Sequence, residues 1–103
     1  MAERRSHERV ALRLEARWVG LSGKHTASLI DLSAGGCYVE SLAPVSVGEA
    51  IRLEVRLPTE RWMALQGEVI YHHPNLGFGV RFNDLSELEL EVLDSVMEFG
   101  GAG

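Results

Sequence analysis

Apolar and polar side chains alternate in two segments of the chain. In residues 10–19 every even position is apolar, and charged residues occupy only odd positions. Residues 51–57 repeat the pattern with apolar odd positions, before Pro58 ends the segment. Because successive side chains of a β-strand point to opposite faces, both segments are predicted to be strands with one buried side.

Four more segments have the composition of strands, since they are rich in apolar and β-branched residues and are bounded by turn residues. They are residues 25–32, 37–40, 62–71 and 76–82, separated by a turn at 20–24, loops at 33–36 and 44–49, and a turn at 73–75. Gly67 interrupts the longest of them and is a candidate β-bulge. The pattern predicts six strands in all.

A helix is predicted after residue 83, where the period of the apolar positions changes from two to about three and a half. Asp84 or Ser86 can cap it, and Ser86 with Glu89 has the spacing of a capping box. The glycine-rich residues 100–103 are predicted to end it. The apolar stripe along one side is Leu85, Leu88, Val92, Val96 and Phe99.

This order of elements predicts an all-β fold with a C-terminal helix. The six strands form a small antiparallel β-barrel, closed or nearly closed, and the helix covers the apolar surface that the barrel leaves exposed. The 103 residues fit one domain. Residues 1–9 are predicted to be a flexible arm, 10–99 the barrel with its helix, and 100–103 a tail.

The composition, with 46% hydrophobic and 24% charged residues, is that of an ordinary globular protein. No apolar run approaches the ~18 residues of a membrane span, and the N-terminus is too polar for a secretory signal, so no membrane insertion is expected. A single cysteine, Cys37, fits a reducing compartment. These features predict a cytoplasmic protein.

The net charge of −5 argues against a broad electrostatic grip on DNA, RNA or anionic lipid, which needs many contacts between Lys or Arg and phosphate. Positive charge is concentrated instead at the start of the chain. Arg4, Arg5 and Arg9 lie there within six positions. An anion-binding site is therefore predicted to be local.

Two short motifs carry the functional prediction. Arg5 and Arg9 form an R-x-x-x-R motif, and residues 31–36 read D-x-S-x-x-G. Their order, the strands between them, and the later L-G-F-G-V-R-F followed by a helix resemble the PilZ family of bacterial cyclic di-GMP receptors. The resemblance covers almost the whole chain. It implies a PilZ-like barrel that binds cyclic di-GMP, changes conformation and regulates an effector protein.

The residue types suit this ligand. The planar fork of arginine can donate to both N7 and O6 of guanine, and a carboxylate such as Asp31 can accept from the N–H groups of guanine. Guanidinium groups also form charge-assisted hydrogen bonds with phosphate and stack on purine faces. An arm that precedes the first strand can wrap the ligand.

The resemblance also implies a role for each motif position. The motif arginines would bind guanine and phosphate, the aspartate and serine would supply polar groups on the barrel surface, and the glycines would allow close backbone approach. The expected ligand-binding residues are Arg4, Arg5, Arg9, Asp31, Ser33, Gly35 and Gly36. In this family an arginine just before R-x-x-x-R, here Arg4, accompanies binding of an intercalated ligand dimer. Two cyclic di-GMP molecules per chain are therefore expected.

Simpler interpretations stay open. The arginines alone fit a solvated basic segment, and residues 31–36 fit an Asx or serine turn in which Gly36 has a positive φ. A PilZ-like adaptor could act through protein contacts without binding nucleotide. A small nucleic-acid-binding barrel is a third function, which the acidic remainder of the chain and its few aromatic residues disfavour.

Catalysis has no visible apparatus in the sequence. There is no nucleophile with a matching base, no phosphate-binding glycine loop and no metal-ligand spacing, so we predict a binding protein without enzymatic activity, metal or cofactor. His72 and His73 fall at a predicted turn. Neighbouring strand residues point to opposite faces, which disfavours a shared metal site.

Overall fold

The computed structural model describes residues 9–102, which form six β-strands followed by one α-helix. The strands are β1 (Val10–Gly20), β2 (Gly23–Leu32), β3 (Gly36–Glu40), β4 (Ala50–Arg56), β5 (Trp62–His73) and β6 (Gly77–Phe82), and the helix is α1 (Glu87–Ala102). All six predicted strands are present. β2 begins earlier than predicted, which leaves a tight turn of Leu21 and Ser22 between β1 and β2.

The strands form a closed barrel in the order β1-β2-β3-β6-β5-β4, and each is antiparallel to its neighbours. β4 closes the circle by pairing with β1, from Ala16↔Val55 to Val19↔Arg52. Closure removes the open sheet edges at which chains can associate. The predicted six-stranded antiparallel barrel with a C-terminal helix is confirmed.

The alternation in β1 separates a buried face from a charged face. Ala16 and Trp18 are buried in the barrel, and the charged residues of the strand point outwards. The Trp18 ring packs edge-on against Phe78, with ring centroids 5.1 Å apart. Its Nε1–H donates to Ser41 Oγ at 3.3 Å, so the one polar atom of the indole is satisfied inside the core.

α1 begins with the predicted capping box. The Ser86 N–H donates to Glu89 Oε1 at 2.9 Å, and the Glu89 N–H donates to Ser86 Oγ at 3.1 Å. The helix then continues through Gly100 to Ala102. The prediction that Gly100 ends the helix, with residues 100–103 as a tail, is therefore wrong.

The predicted stripe of α1 is confirmed in part, since Val96 is buried and Leu85 and Val92 pack against the core. Leu93, Val96 and Met97 are buried, whereas Leu88 and Phe99 are exposed. Gly100 allows α1 to lie close to β1, because a Cβ there would meet Leu12 Cδ2 at 2.9 Å. The buried face also includes Leu93 and Met97, which the predicted stripe leaves out.

Gly67 is not the β-bulge that the sequence predicted. It pairs regularly with Ile51 of β4 and with Phe82 of β6. The register with β6 shifts three residues later, where Ile70 is the extra residue. Gly67 is needed for packing instead, because a Cβ there would lie 2.7 Å from the carbonyl oxygen of Arg81.

The connections alternate between the two ends of the barrel, because all neighbouring strands are antiparallel. The β1–β2 turn, the β3–β4 loop (residues 41–49) and the β5–β6 turn (residues 74–76) lie at one end, which we name the distal end. Arg9, the β2–β3 loop and the β4–β5 turn lie at the opposite, proximal end. The predicted ligand residues within the described range therefore belong to the proximal end.

Candidate ligand-binding site

A β-bulge in β2 places Asp31 on the outer surface of the barrel. The register with β3 shifts between Leu29 and Asp31, so Ile30 is the extra residue. Leu29 and Leu32 are both buried, whereas Asp31 is partly exposed. Regular alternation would turn position 31 to the same side as Leu29, into the core. The bulge therefore directs the carboxylate outwards.

Arg9 lies just before β1 and forms an ion pair with Asp31 through Nη1 and Oδ1. The pairing of Ala11 with Asp31 brings the start of β1 beside the end of β2. The side chains of Arg9 and Asp31 keep 50% and 27% of their exposure, so both can reach a ligand. The structure brings one residue of each predicted motif together. Arg4 and Arg5 lie outside the described residues, and their roles stay predictions.

Ser33 organises the loop between β2 and β3. Its Oγ accepts hydrogen bonds from the N–H groups of Gly35 and Gly36, both at 3.2 Å, and its hydroxyl also lies 3.3 Å from the Gly36 carbonyl oxygen as a donor. The Ser33 N–H donates to the same carbonyl oxygen at 2.8 Å. Ser33 is buried. In this structure its hydroxyl fixes the loop beside Asp31, and a direct ligand contact stays a prediction.

The two glycines of the loop have different surroundings. A Cβ at Gly36 would fall on the carbonyl oxygen of Val80, closer than any real carbon–oxygen contact. A Cβ at Gly35 would meet nothing nearer than Ser33 Oγ at 4.0 Å. Gly36 does not have a positive φ, so that part of the turn interpretation is wrong. The close approach that requires Gly36 is to β6, within the barrel itself.

An aromatic cluster beside Asp31 was missed by the sequence interpretation. Tyr38 pairs with Asp31 on one side and with Gly79 on the other, and Gly79 pairs with Tyr71. The ring centroids of Tyr38 and Tyr71 are 6.1 Å apart, and that of His73 lies 5.9 Å and 5.1 Å from them. The Tyr38 hydroxyl is 3.3 Å from His73 Nδ1. We refer to Tyr38, Tyr71 and His73 as the aromatic cluster.

Signals for part of this cluster are present in the sequence. In β3 the buried residues Cys37 and Val39 flank Tyr38, so simple alternation puts Tyr38 on the outer face with Asp31. Tyr71 follows the bulge at Ile70 and cannot be placed by alternation. His72 and His73 end β5 rather than forming the predicted turn, which begins at residue 74.

Cys37 lies inside the barrel under the candidate site. Burial raises the pKa of its thiol, the charge of Asp31 raises it further, and the charge of Arg9 opposes this. A thiol with a raised pKa stays protonated and is a poor nucleophile. Burial also raises the pKa of Tyr38, with further contributions from Tyr71, Glu40 and Asp31, so its hydroxyl remains a hydrogen-bond donor at neutral pH.

A family model of the PilZ domain matches residues 3–99. The chain belongs to the PilZ family. This is a family of cyclic di-GMP receptors, and PilZ domains are typically binding or adaptor domains rather than enzymes. A comparison with curated protein sequences finds no match.

Solved structures share the fold of this PilZ domain. The PilZ domain of CeSA from a cellulose-synthesizing bacterium has 20% identity and a TM-score of 0.68, covering 89% of this chain and 97% of that one. The Bacillus subtilis inhibitor of motility, MotI/DgrA, has 18% identity and a TM-score of 0.69, covering 91% of this chain and 47% of that one. At these identities the likeness shows the fold alone.

No helix within residues 9–102 has the length and apolar character needed to span a bilayer. No group of three or more His, Cys, Asp or Glu side chains within that range could hold a metal ion.

Proposed function

We propose that this PilZ domain binds cyclic di-GMP on the barrel face around Asp31 and regulates a partner protein through the resulting change. The observation that carries the proposal is the ion pair between Arg9 and Asp31, which joins the two family motifs on one surface. The loop fixed by Ser33 supports the same face. An adaptor without nucleotide would not require these side chains to meet, so receptor function is the better account.

Arg9 and Asp31 can serve the same guanine. A carboxylate has several lone pairs, so Asp31 can hold Arg9 and still accept hydrogen bonds from the N–H groups of the base. The guanidinium has several donors, so Arg9 can keep Asp31 and also donate to N7, O6 or a phosphate oxygen. The ion pair orients Arg9 before the ligand arrives, which lowers the entropy cost of binding.

The aromatic cluster extends this surface beyond Asp31. Tyr71 is exposed and Tyr38 partly so; Tyr38 is paired with Asp31, and the ring centroid of Tyr71 lies 6.1 Å from that of Tyr38. Stacking of a base on an aromatic side chain contributes roughly 1–3 kcal/mol. A guanine whose edge is held by Asp31 can therefore gain a stacking partner from the same face.

Regulation follows in this proposal from the position of the arm, residues 1–9. Its arginines carry positive charge, and a bound ligand adds phosphate charges beside Asp31 that attract them. Arg9 is the point at which the arm joins the barrel. Ligand binding would thereby reposition the arm on the proximal end, where a partner protein reads the change.

Titration of the purified full chain with cyclic di-GMP tests the proposal directly. We expect saturable heat release in calorimetry, with no comparable binding of GTP, linear di-GMP or cyclic di-AMP, because Asp31 selects the N–H edge of guanine and the cyclic ligand presents two phosphates together. Absence of cyclic di-GMP binding by a folded protein, checked by a cooperative melting curve, would overturn the receptor assignment and favour the nucleotide-independent adaptor.

Arg4→Leu is expected to lower the stoichiometry from two ligands per chain towards one. Two stacked cyclic di-GMP molecules bring four phosphate charges together, and a further guanidinium beside Arg5 and Arg9 offsets this repulsion. Calorimetric titration of wild type and variant at two salt concentrations measures it. Loss of charge alone would weaken affinity at constant stoichiometry, and this weakening would become smaller as salt is raised. A wild-type stoichiometry of one would contradict the ligand-dimer proposal and leave receptor function intact.

A further inference from the structure

The distal end of the barrel presents exposed apolar side chains on three separate connections. Leu21 lies in the β1–β2 turn, Leu42 and Val47 in the β3–β4 loop, and Leu76 in the β5–β6 turn. Their exposures are 87%, 78%, 65% and 63%, respectively. Single exposed leucines are ordinary, but four large aliphatic side chains gathered at one end mark an interaction surface.

Hydrogen bonds join the three connections into one preformed surface. The buried carboxylate of Glu49 accepts from the Leu21 N–H at 2.8 Å through Oε2 and from the Ser46 N–H at 3.0 Å through Oε1. The Ser41 N–H donates to the carbonyl oxygen of Leu76 at 3.3 Å. The sequence interpretation treated residues 44–49 as a plain loop. The structure shows instead that Glu49 ties this loop to the β1–β2 turn.

The charges around the distal end favour an anionic partner. The carboxylate of Glu49 is buried and occupied by backbone N–H groups, and that of Glu40 is ion-paired. Lys24 follows the β1–β2 turn, is exposed, and has no carboxylate partner among residues 9–100. A groove of about 660 Å³ beside the turn is lined by Lys24 and by Arg17, Arg52 and Glu54, and Glu54 is ion-paired with both arginines. Positive charge is therefore available next to the apolar tips of an otherwise acidic chain.

We propose that the distal end docks on an anionic phospholipid surface, with Leu21, Leu42, Val47 and Leu76 entering the interface and Lys24 facing the head groups. The inference goes beyond the proposed function and does not rest on it. Side chains that project singly from turns can each enter a lipid interface and each add to binding. Because the proposal assigns a single cation, Lys24, to the head groups, entry of the apolar side chains makes the main contribution to binding and lipid charge makes a secondary one.

The size of the distal end favours lipid over a protein surface. Its connections are the short β1–β2 turn, the loop at residues 41–49 and the turn at residues 74–76. Together they provide roughly half of the ~20–30 residues that one side of a standard protein interface uses. A lipid surface sets no such minimum area.

Docking by this end leaves the Arg9–Asp31 pair in water. Arg9 and Asp31 lie at the proximal end, and β1, which connects the two ends, has 11 residues. A strand of that length spans about 30 Å, allowing for twist. The Arg9–Asp31 pair and the apolar tips are therefore on separate surfaces, with the aromatic cluster between them, since His73 directly precedes the β5–β6 turn. Vesicle binding and nucleotide binding can be measured separately.

Flotation of the full chain with vesicles tests the docking surface. We expect binding to vesicles of phosphatidylcholine with about one quarter phosphatidylglycerol, weaker binding to phosphatidylcholine alone, and a decrease as salt is raised. The double variant Leu21→Ser/Leu76→Ser should lower the partition coefficient by about tenfold for each leucine replaced. Lys24→Gln should weaken binding to the anionic vesicles and leave binding to the neutral ones unchanged.

Leu88→Ser is the matched control, because Leu88 is 69% exposed but lies on α1 rather than at the distal end. It should bind vesicles like wild type. No binding of wild type to either vesicle, or an equal loss in Leu88→Ser, would overturn the proposal. A dimer in light scattering that Leu21→Ser/Leu76→Ser converts to a monomer would also overturn it and assign the surface to a second copy of the chain. If the chain bound no vesicles but captured an acidic protein in a way that depends on Leu21, the distal end would be assigned to a protein partner.

Discussion

Replacement of Arg9 by alanine is expected to weaken cyclic di-GMP binding by roughly a hundredfold, because hydrogen bonds to charged groups contribute about 1.5–3 kcal/mol and one guanidinium can make more than one. The free energy of unfolding should hardly change. The ion pair between Arg9 and Asp31 is substantially exposed, and exposed pairs contribute at most about 1 kcal/mol. Calorimetric titration and a melting curve on the same sample measure both quantities.

Arg13→Ala is the matched control for this prediction. Arg13 lies in β1 and also forms an exposed ion pair, with Glu40 at 3.0 Å. It belongs to neither motif. It should keep wild-type affinity. Asp31→Ala should lose affinity and also lose preference for cyclic di-GMP over cyclic di-AMP, since it removes the acceptor for the guanine N–H groups. Equal affinity of Arg9→Ala and wild type would show that the ligand site lies elsewhere.

Gly36→Ala is expected to destabilise the fold by about 3 kcal/mol or more, lowering the melting temperature by roughly 15 °C. The added Cβ would press on the Val80 carbonyl oxygen, so β3 and β6 must separate where they pair. Affinity for the ligand would fall as a consequence of unfolding. Thermal denaturation followed by circular dichroism measures the effect.

Gly35→Ala separates packing from ligand approach. The methyl group at Gly35 enters open space, and Gly35 has no left-handed φ that alanine would strain. Its stability should match wild type. Any loss of affinity in Gly35→Ala therefore reports a crowded ligand, whereas a loss in Gly36→Ala reports a damaged barrel. A Gly36→Ala variant with the melting temperature of wild type would contradict the packing account.

The strands were predictable because the alternation of side chains has a strict period of two. β1 and β4 show it without interruption, and the structure follows it. Bulges break this rule without a residue type that marks them. The bulge at Ile30 could have been inferred from the three-residue spacing of Leu29 and Leu32, whereas Ile70 is an ordinary strand residue and gives no signal.

The rotation of α1 was not predictable from its own residues. Apolar side chains occur on more than one face of the helix, so the stripe through Leu88 and the stripe through Leu93 are both consistent with the sequence. Residues of both stripes pack against the barrel, and contacts such as that of Gly100 with Leu12 join residues far apart in the chain. Likewise, the constraint on Gly36 comes from β6, far away in the chain, and its predicted role in ligand approach stays a prediction.

β1 is paired with a neighbouring strand on both sides over only part of its length. Residues 16–19 pair with β2 and β4, whereas residues 10–15 pair with β2 alone and contain a register irregularity between Ala11 and Leu14. Local opening costs less free energy where fewer backbone hydrogen bonds must break. A ligand that pulls on Arg9 would therefore act on a part of β1 with fewer strand hydrogen bonds than residues 16–19. Ligand engagement would then be reported by a change in amide hydrogen exchange in residues 10–15, with residues 16–19, which pair on both sides, as the internal reference.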